Sequence, residues 1–142
     1  MKDIFDLFGR VMIASIFISE AYDAVIHFET TKLKMTEYHL TWQQDTLLYG
    51  SIIFLILGAM MLILGYRAAL GALLLTFYWL PMTFTVHQFW RLPYSDQRVE
   101  SIEFMKNIAI AGGLLMIYVN GSGRYSMRRL LATTRVRGVK WR

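Results

Sequence analysis

The sequence predicts an all-α membrane protein, a four-transmembrane-helix bundle with both termini in the cytoplasm. The composition is the first reason: the 142-residue chain is 56% hydrophobic and only 18% charged, and its mean hydropathy is +0.40. Soluble domains average roughly 25% charged residues. The second reason is four apolar runs that approach the roughly 17–25 residues a helix needs to cross a bilayer. The third is a strong asymmetry in the placement of basic residues, which is typical of a topology signal.

The four predicted spans cover residues 11–28, 47–65, 68–89 and 104–119. Residues 51–66 of the second span offer no polar face, which argues against an ordinary helix of a soluble protein. Tyr66 and Arg67 alone separate the second span from the third, so these spans are predicted to form a tight helical hairpin. The first run begins among acidic residues and has no small-residue cleavage site, so we expect a retained helix and not a signal peptide.

The chain is predicted to divide into a membrane domain, residues 1–120, and a basic cytoplasmic tail, residues 121–142. The tail holds seven of the 15 basic residues and no acidic one. Four spans place both termini on one side, which collects ten basic residues, Arg10 among them, against five on the other. Because Lys and Arg favour the cytoplasmic side, the termini are predicted to be cytoplasmic and the chain to lie in a bacterial inner membrane. Loops at 29–46 and 90–103 then face outward.

The tail is predicted to dock onto membrane lipid or onto a partner subunit. Each basic residue near an anionic leaflet contributes roughly 1 kcal/mol to such binding. Nucleic acid is not an expected partner, because the tail directly follows a membrane helix and its basic residues line no folded face. The basic positions are Arg124, Arg128, Arg129, Arg135, Arg137, Lys140 and Arg142.

A polar cluster is predicted in the outer half of the membrane domain. Ionisable residues in a membrane span are costly, and they usually face a bundle interior or a water-filled cavity. The first three members follow i, i+3, i+7 spacing, which places them on one face of the first helix. Three interpretations remain open: the residues are solvated at the headgroup level, they line a functional cavity, or they form a structural hydrogen-bonded cluster. The candidate residues are Glu20, Asp23, His27, His87, Lys106 and Asn107.

We assign no catalytic residue, no metal ligand and no cofactor to the chain itself. The sequence has no cysteine, which excludes disulfides, Cys-ligated zinc and Cys-ligated iron–sulfur clusters. One alternative is a metal or proton-handling site of Glu20, Asp23, His27 and His87, although their spacing matches no recognised ligand motif. A second alternative is haem ligation by the two histidines. Lys106 either extends to the membrane surface or pairs with one of the first helix's acids.

Several segments follow the pattern of a known family. They are Arg10, Leu64-Gly65-Tyr66-Arg67, His87-Gln88-Phe89-Trp90, residues 104–115, and Gly121-Ser122-Gly123-Arg124-Tyr125-Ser126. With these segments nearly the whole chain resembles the DoxX-like family of small four-helix integral membrane proteins. The resemblance is most specific in the fourth helix and the residues after it.

The chain also departs from the family pattern. Where the family has Ser-Gly-x-x-Lys late in the first helix, this chain reads Ser19-Glu20-Ala21-Tyr22-Asp23, so two acids replace a Gly and a Lys. Tyr49-Gly50-Ser51 stands where the second helix of the family opens with a Glu. Arg128 stands in place of the closing Asp of the family, and the basic tail is not shared.

The resemblance implies an accessory subunit, without catalysis of its own, in a larger respiratory or quinone-linked oxidoreductase complex. The family takes its name from a subunit of a thiosulfate:quinone oxidoreductase. Expected partners are membrane lipids and other subunits of the complex. The alternative is a stand-alone protein that binds a quinone or a small molecule in the polar outer-half cluster. A transporter is disfavoured, because the cytoplasmic halves of the predicted spans are apolar and offer no continuous polar path.

Overall fold

The computed structural model describes residues 2–121, and these residues fold as five α-helices and one 3-10 helix without a β-strand. The all-α class is therefore confirmed. The predicted docking tail lies, apart from Gly121, outside the described residues. The helices are α1 (Lys2–Ile26), α2 (Phe28–Glu37), α3 (Gln44–Leu64), α4 (Ala68–Val86), the 3-10 helix (Phe89–Arg91) and α5 (Tyr94–Asn120).

The helices extend beyond the apolar runs that predicted them. α5 begins at Tyr94, well before the predicted start of the fourth span, and the predicted loop at 29–46 contains α2. Polar turns exposed to water can continue a helix past the residues that hydrocarbon requires, so hydropathy underestimates helix length. The first predicted span, 11–28, is not one helix, because α1 ends at Ile26 and His27 separates it from α2.

Three helices are long and apolar enough to cross a membrane. They are α3, α4 together with the 3-10 helix, and α5. α1 is not among them, because Arg10, Glu20 and Asp23 interrupt its apolar sequence. The membrane-spanning helical class is thus established by three helices, and α1 differs from them in the charges it carries.

The long helices form a bundle in which α1 packs on α3, α3 on α4 and α4 on α5, and a smaller contact between α5 and α1 closes it. α3 and α4 are joined by a turn in which Gly65 and Arg67 adopt left-handed backbone, with φ of 65° and 50°. The two helices approach closely where Gly71 faces α3: a Cβ built on Gly71 would lie 2.7 Å from the Cβ of Met61. Small residues in the sequence therefore mark a real helix contact.

The core is closed on the other side by Trp79 of α4. Trp79 is buried, and its ring packs edge-on against Phe17 of α1 at a centroid distance of 5.1 Å. Its Nε1 donates a hydrogen bond to the backbone carbonyl of Asn107 on α5 at 3.2 Å. Trp79 thus connects three helices, and its one polar atom is satisfied within the core.

Arg10 of α1 is the one charged side chain that is fully buried among the described residues, at 1% exposure. Its Nε donates to Oδ2 of Asp6 at 3.0 Å, and its Nη1 donates to the carbonyl of Leu62 at 2.8 Å. The last carbonyls of a helix have no intrahelical partner, and a cation suits the negative end of the helix dipole. From the sequence, Arg10 is counted among the basic residues at the cytoplasmic surface that set the orientation of the chain. The structure instead places its guanidinium inside the bundle, where it joins α1 to the end of α3.

Replacing Arg10 with Met is expected to destabilise the fold, by about 3 kcal/mol as for a broken buried ion pair. The change leaves Asp6 without the guanidinium and removes the hydrogen bond to the end of α3. The measurement is unfolding in mixed micelles of mild detergent and dodecyl sulfate. Arg67→Met is the control, because Arg67 is an exposed arginine at the same end of the bundle. Equal effects of the two changes would show that Arg10 acts only as a surface charge.

Replacing Gly71 with Ala is expected to lower the free energy of unfolding by about 1–3 kcal/mol, the usual cost of overpacking. The added methyl group would collide with a Cβ that cannot move without its helix. Gly112→Ala is the matched control, since nothing lies within 4 Å of a Cβ at Gly112, and helix propensity favours Ala over Gly. Comparable destabilisation by both substitutions, in the same micelle assay, would contradict the close approach of α3 and α4.

Candidate functional site

The end of the bundle opposite the α3–α4 turn, termed the α2 end, holds the polar residues of interest. α1 and α4 run toward this end, and α3 and α5 start from it. Side chains late in α1 and at the end of α4 are thereby brought to the same level as the first turns of α5. The candidate residues therefore meet because the helices alternate in direction, although the residues are far apart in the sequence.

Glu20 lies at the centre of the charges at the α2 end. It is within electrostatic range of Asp23 on its own helix, of Lys34 on α2 and of His87 at the end of α4. Asp23 and His27 form a separate contact, with Oδ1 and Nδ1 3.0 Å apart and both side chains exposed. The structure therefore places four of the six candidate residues at one end of the bundle.

His87 ends α4 and connects it to α5. Its backbone N–H donates to the carbonyl of Thr83, and its Nδ1 lies 2.8 Å from Oε2 of Glu100 on α5. The two side chains of this pair are only 23% and 34% exposed. We had not singled out Glu100, because it was assigned to a loop. The available signal was a pair of acids, Glu100 and Glu103, one helical turn apart directly before an apolar run.

The remaining two candidates have other partners. The amine of Lys106 pairs with Glu103 of the same helix, and the backbone carbonyl of Asn107 accepts the hydrogen bond from Trp79. Neither contact reaches the acids of α1. The pairing of Lys106 with Glu20 or Asp23, considered from the sequence, is therefore replaced by a local pair three residues apart.

α2 is attached to the start of α3 by polar contacts. Lys32 Nζ lies 2.7 Å from Oδ1 of Asp45 and 3.5 Å from Oε2 of Glu29. The hydrogen bond to Asp45 raises the pKa of Lys32, so this contact stabilises the fold below the ordinary lysine pKa and is lost as the pH rises through the raised value. Gln44 also donates through Nε2 to Oγ1 of Thr36 at 2.8 Å. These contacts hold α2 over the α2 end.

A polar pocket of about 330 Å³ opens beside the His87–Glu100 pair, between the end of α2, the end of α4 and α5. Partial burial and the charges of Glu100 and Glu37 raise the pKa of Tyr38 in its wall. The polar residues in its lining include Glu37, Tyr38, His39, Gln88, Arg91 and Glu100. Groups of both charge signs thus line one half-open pocket at the surface.

A second, apolar groove of about 410 Å³ lies between α3 and α4. Phe54 of α3 and Phe77 and Tyr78 of α4 form its walls, and Gly50 and Ser51 give it depth. Among the described residues, no Asp, Glu, His, Lys or Arg lines it. Its chemistry suits an apolar chain or a neighbouring helix.

No three His, Asp or Glu side chains within residues 2–121 are arranged to hold a metal ion. Each of the two candidate histidines instead contacts a carboxylate, His27 that of Asp23 and His87 that of Glu100. A carboxylate next to a histidine fixes the orientation and the tautomer of the ring.

Comparison with known proteins places these features in context. Residues 5–88 match the protein-family model described as DoxX. Inner membrane protein YphA of Escherichia coli is 25% identical over 126 residues, 87% of each chain, and inner membrane protein YqjF of the same organism is 26% identical over 132 residues, 92% of this chain and 95% of that one. Surfeit locus protein 4 homolog of Drosophila melanogaster is 29% identical over 89% of this chain but 40% of its own length. No solved structure matches significantly.

Replacing Glu100 with Gln is expected to loosen the segment between α4 and α5, because it removes the carboxylate that holds His87. Hydrogen exchange of the amides in residues 87–92 should become faster by about tenfold, as expected for loss of a contact of about 1.4 kcal/mol. Glu103→Gln is the matched control, since Glu103 pairs only within α5 among the described contacts. Unchanged exchange in the Glu100 variant would contradict a role for this pair in fixing the segment.

Proposed function

The chain belongs to the DoxX family, and from this we propose that it is an accessory subunit of a larger respiratory or quinone-linked oxidoreductase complex. It is an integral protein of the bacterial inner membrane, like the E. coli relatives with which it aligns over most of its length. In the proposed role it binds and positions partner subunits for electron transport and carries no cofactor of its own.

The observation that carries this proposal is the basic segment after α5. Residues 121–142 contain seven basic residues and no acid, whereas residues 1–120 contain eight basic and ten acidic residues. Such a concentration of one charge attracts an acidic partner surface or anionic lipid and speeds association. Leu130, Leu131 and Trp141 add apolar contact area between the charges.

We place four helices across the membrane, with α1 as the fourth, and both termini in the cytoplasm. α1 has 25 residues, or about 37 Å at 1.5 Å per residue, which exceeds the roughly 30 Å hydrocarbon core. Arg10 contacts Asp6 and the end of α3 instead of lipid, and Glu20 and Asp23 lie toward the α2 end. The basic tail on the side of the termini supports the orientation.

A stand-alone protein that binds a quinone or another small molecule is the second candidate. The polar pocket and the apolar groove favour it, because a polar headgroup and an apolar tail need those two environments. Its site would be the polar pocket, which Glu100 lines and to which His87 is joined through its contact with Glu100. Glu20, Asp23 and His27 do not line this pocket. In this case the protein needs no partner subunit.

The proposal predicts that the protein, extracted from its native membrane in mild detergent, migrates with larger subunits in native electrophoresis. Neutralising Arg135, Arg137, Lys140 and Arg142 with Gln is expected to weaken that association by at least tenfold, because each residue contributes roughly 1 kcal/mol. Mass spectrometry of the band identifies the partners.

The control neutralises four basic residues of the membrane domain that lie outside the tail: Lys2, Arg67, Arg98 and Lys106. Their loss removes the same charge and should leave the association intact. Recovery of the unmodified protein only as a monomer or homodimer would contradict the accessory-subunit proposal and favour the stand-alone alternative.

A further inference from the structure

We propose that the polar pocket at the α2 end binds a small zwitterion in which a primary ammonium is joined by a short spacer to a phosphate, the chemistry of the phosphoethanolamine headgroup. The pocket, at about 330 Å³, falls in the range of about 300–1,000 Å³ that is typical of small-molecule sites. Its lining carries separate acidic and basic groups. The inference does not depend on the proposed role in a complex.

The acidic side of the pocket provides the ammonium subsite. Glu37 at the end of α2 and Glu100 of α5 both line the pocket, and both bring negative charge to Tyr38. Glu100 uses Oε2 for His87, and a carboxylate has further acceptor positions. A primary ammonium offers three N–H donors, which these carboxylates and the Tyr38 hydroxyl can accept.

The basic side provides the phosphate subsite. Arg91, in the 3-10 helix, lines the same pocket as Glu37, yet the structure shows no ion pair for either side chain within the described residues. A guanidinium binds phosphate through paired N–H groups, and the amide of Gln88 can add a donor. Two opposite charges held in one cavity without pairing are complementary to a ligand that carries both.

The position of the pocket matches that of a lipid headgroup. α4 has 19 residues from Ala68 to Val86, about 28 Å at 1.5 Å per residue, which is close to the roughly 30 Å of bilayer hydrocarbon. Thr85 and Val86, at the end of this helix, lie in the pocket wall. The pocket therefore sits where the apolar part of α4 ends and headgroups begin.

The same chemistry can come from a phospholipid or from a free soluble zwitterion. Phosphatidylethanolamine presents it at the membrane surface, and free phosphoethanolamine presents it in solution. Phosphatidylcholine has a trimethylated nitrogen without N–H donors, and phosphatidylglycerol has no cation. Neither can satisfy the acidic subsite, so headgroup discrimination tests the geometry directly on the unmodified protein.

The experiment measures lipid binding to the delipidated full-length protein by native mass spectrometry. Phosphatidylethanolamine, phosphatidylcholine and phosphatidylglycerol with identical acyl chains are added separately. We expect phosphatidylethanolamine to bind about tenfold more tightly than the other two, the size of one charge-assisted hydrogen bond. Glu37→Gln should abolish that preference, because it removes part of the ammonium subsite. Arg91→Ala should weaken the binding of all three lipids, because all three carry the phosphate. Arg98→Ala and Asp96→Asn, exposed changes of the same type outside the pocket, should preserve it.

Competition with free phosphoethanolamine separates the two sources. Displacement of the lipid by the soluble compound supports a soluble zwitterion as the ligand, and binding of the lipid alone supports a headgroup. Equal binding of all three lipids by the unmodified protein would overturn the proposal whether or not the variants fold. So would a preference for phosphatidylethanolamine that Glu37→Gln leaves unchanged, or lipid binding that Arg91→Ala leaves unchanged.

Discussion

The burial of the Arg10 guanidinium is the constraint on which the arrangement of the helices depends. A charged side chain inside a membrane protein must find polar partners within the protein, because lipid offers none. Asp6 and the carbonyl of Leu62 are those partners. The Leu62 carbonyl lies in the last turn of α3, where carbonyls have no partner in the helix ladder. The Gly65 turn that ends α3 and the Arg10 contact therefore require each other. Together they hold α1, the long helix with the most charged residues, against the α3–α4 hairpin.

The two ends of the bundle are consequently stabilised in different ways. The hairpin end relies on a buried charge and on the close packing of Gly71 against α3. The α2 end also relies on pairs that are open to water, such as Asp23 with His27; exposed pairs of this kind contribute about 0–1 kcal/mol each. Binding regions are drawn from the less stable parts of proteins, so the α2 end is the natural place for a ligand pocket.

Hydropathy located α3, α4 and α5, and two residues between apolar runs were enough to predict the α3–α4 hairpin, because lipid imposes a length and a composition on each span. Helical spacing also predicted Glu20, Asp23 and His27 on one face, and the structure brings Asp23 and His27 into contact. The break at His27, the early start of α5 and the burial of Arg10 were not predictable in this way. These three features depend on contacts with residues distant in sequence, and hydrophobic periodicity carries no information about which distant residues meet. Lys106 shows the limit: the sequence left open an extension to the membrane surface and a pair with an acid of the first helix, and the structure pairs it with the local Glu103.

The two acids that replace a Gly and a Lys of the family pattern are explained by the charges around them. A family lysine at position 23 would supply positive charge from α1 itself. Here α1 carries Glu20 and Asp23, and the charge of Lys34 on α2 reaches Glu20 from another helix. The charges around Glu20 thus come from more than one helix. Because Lys34 lies on α2, in this chain α2 is part of the site as well as its cover.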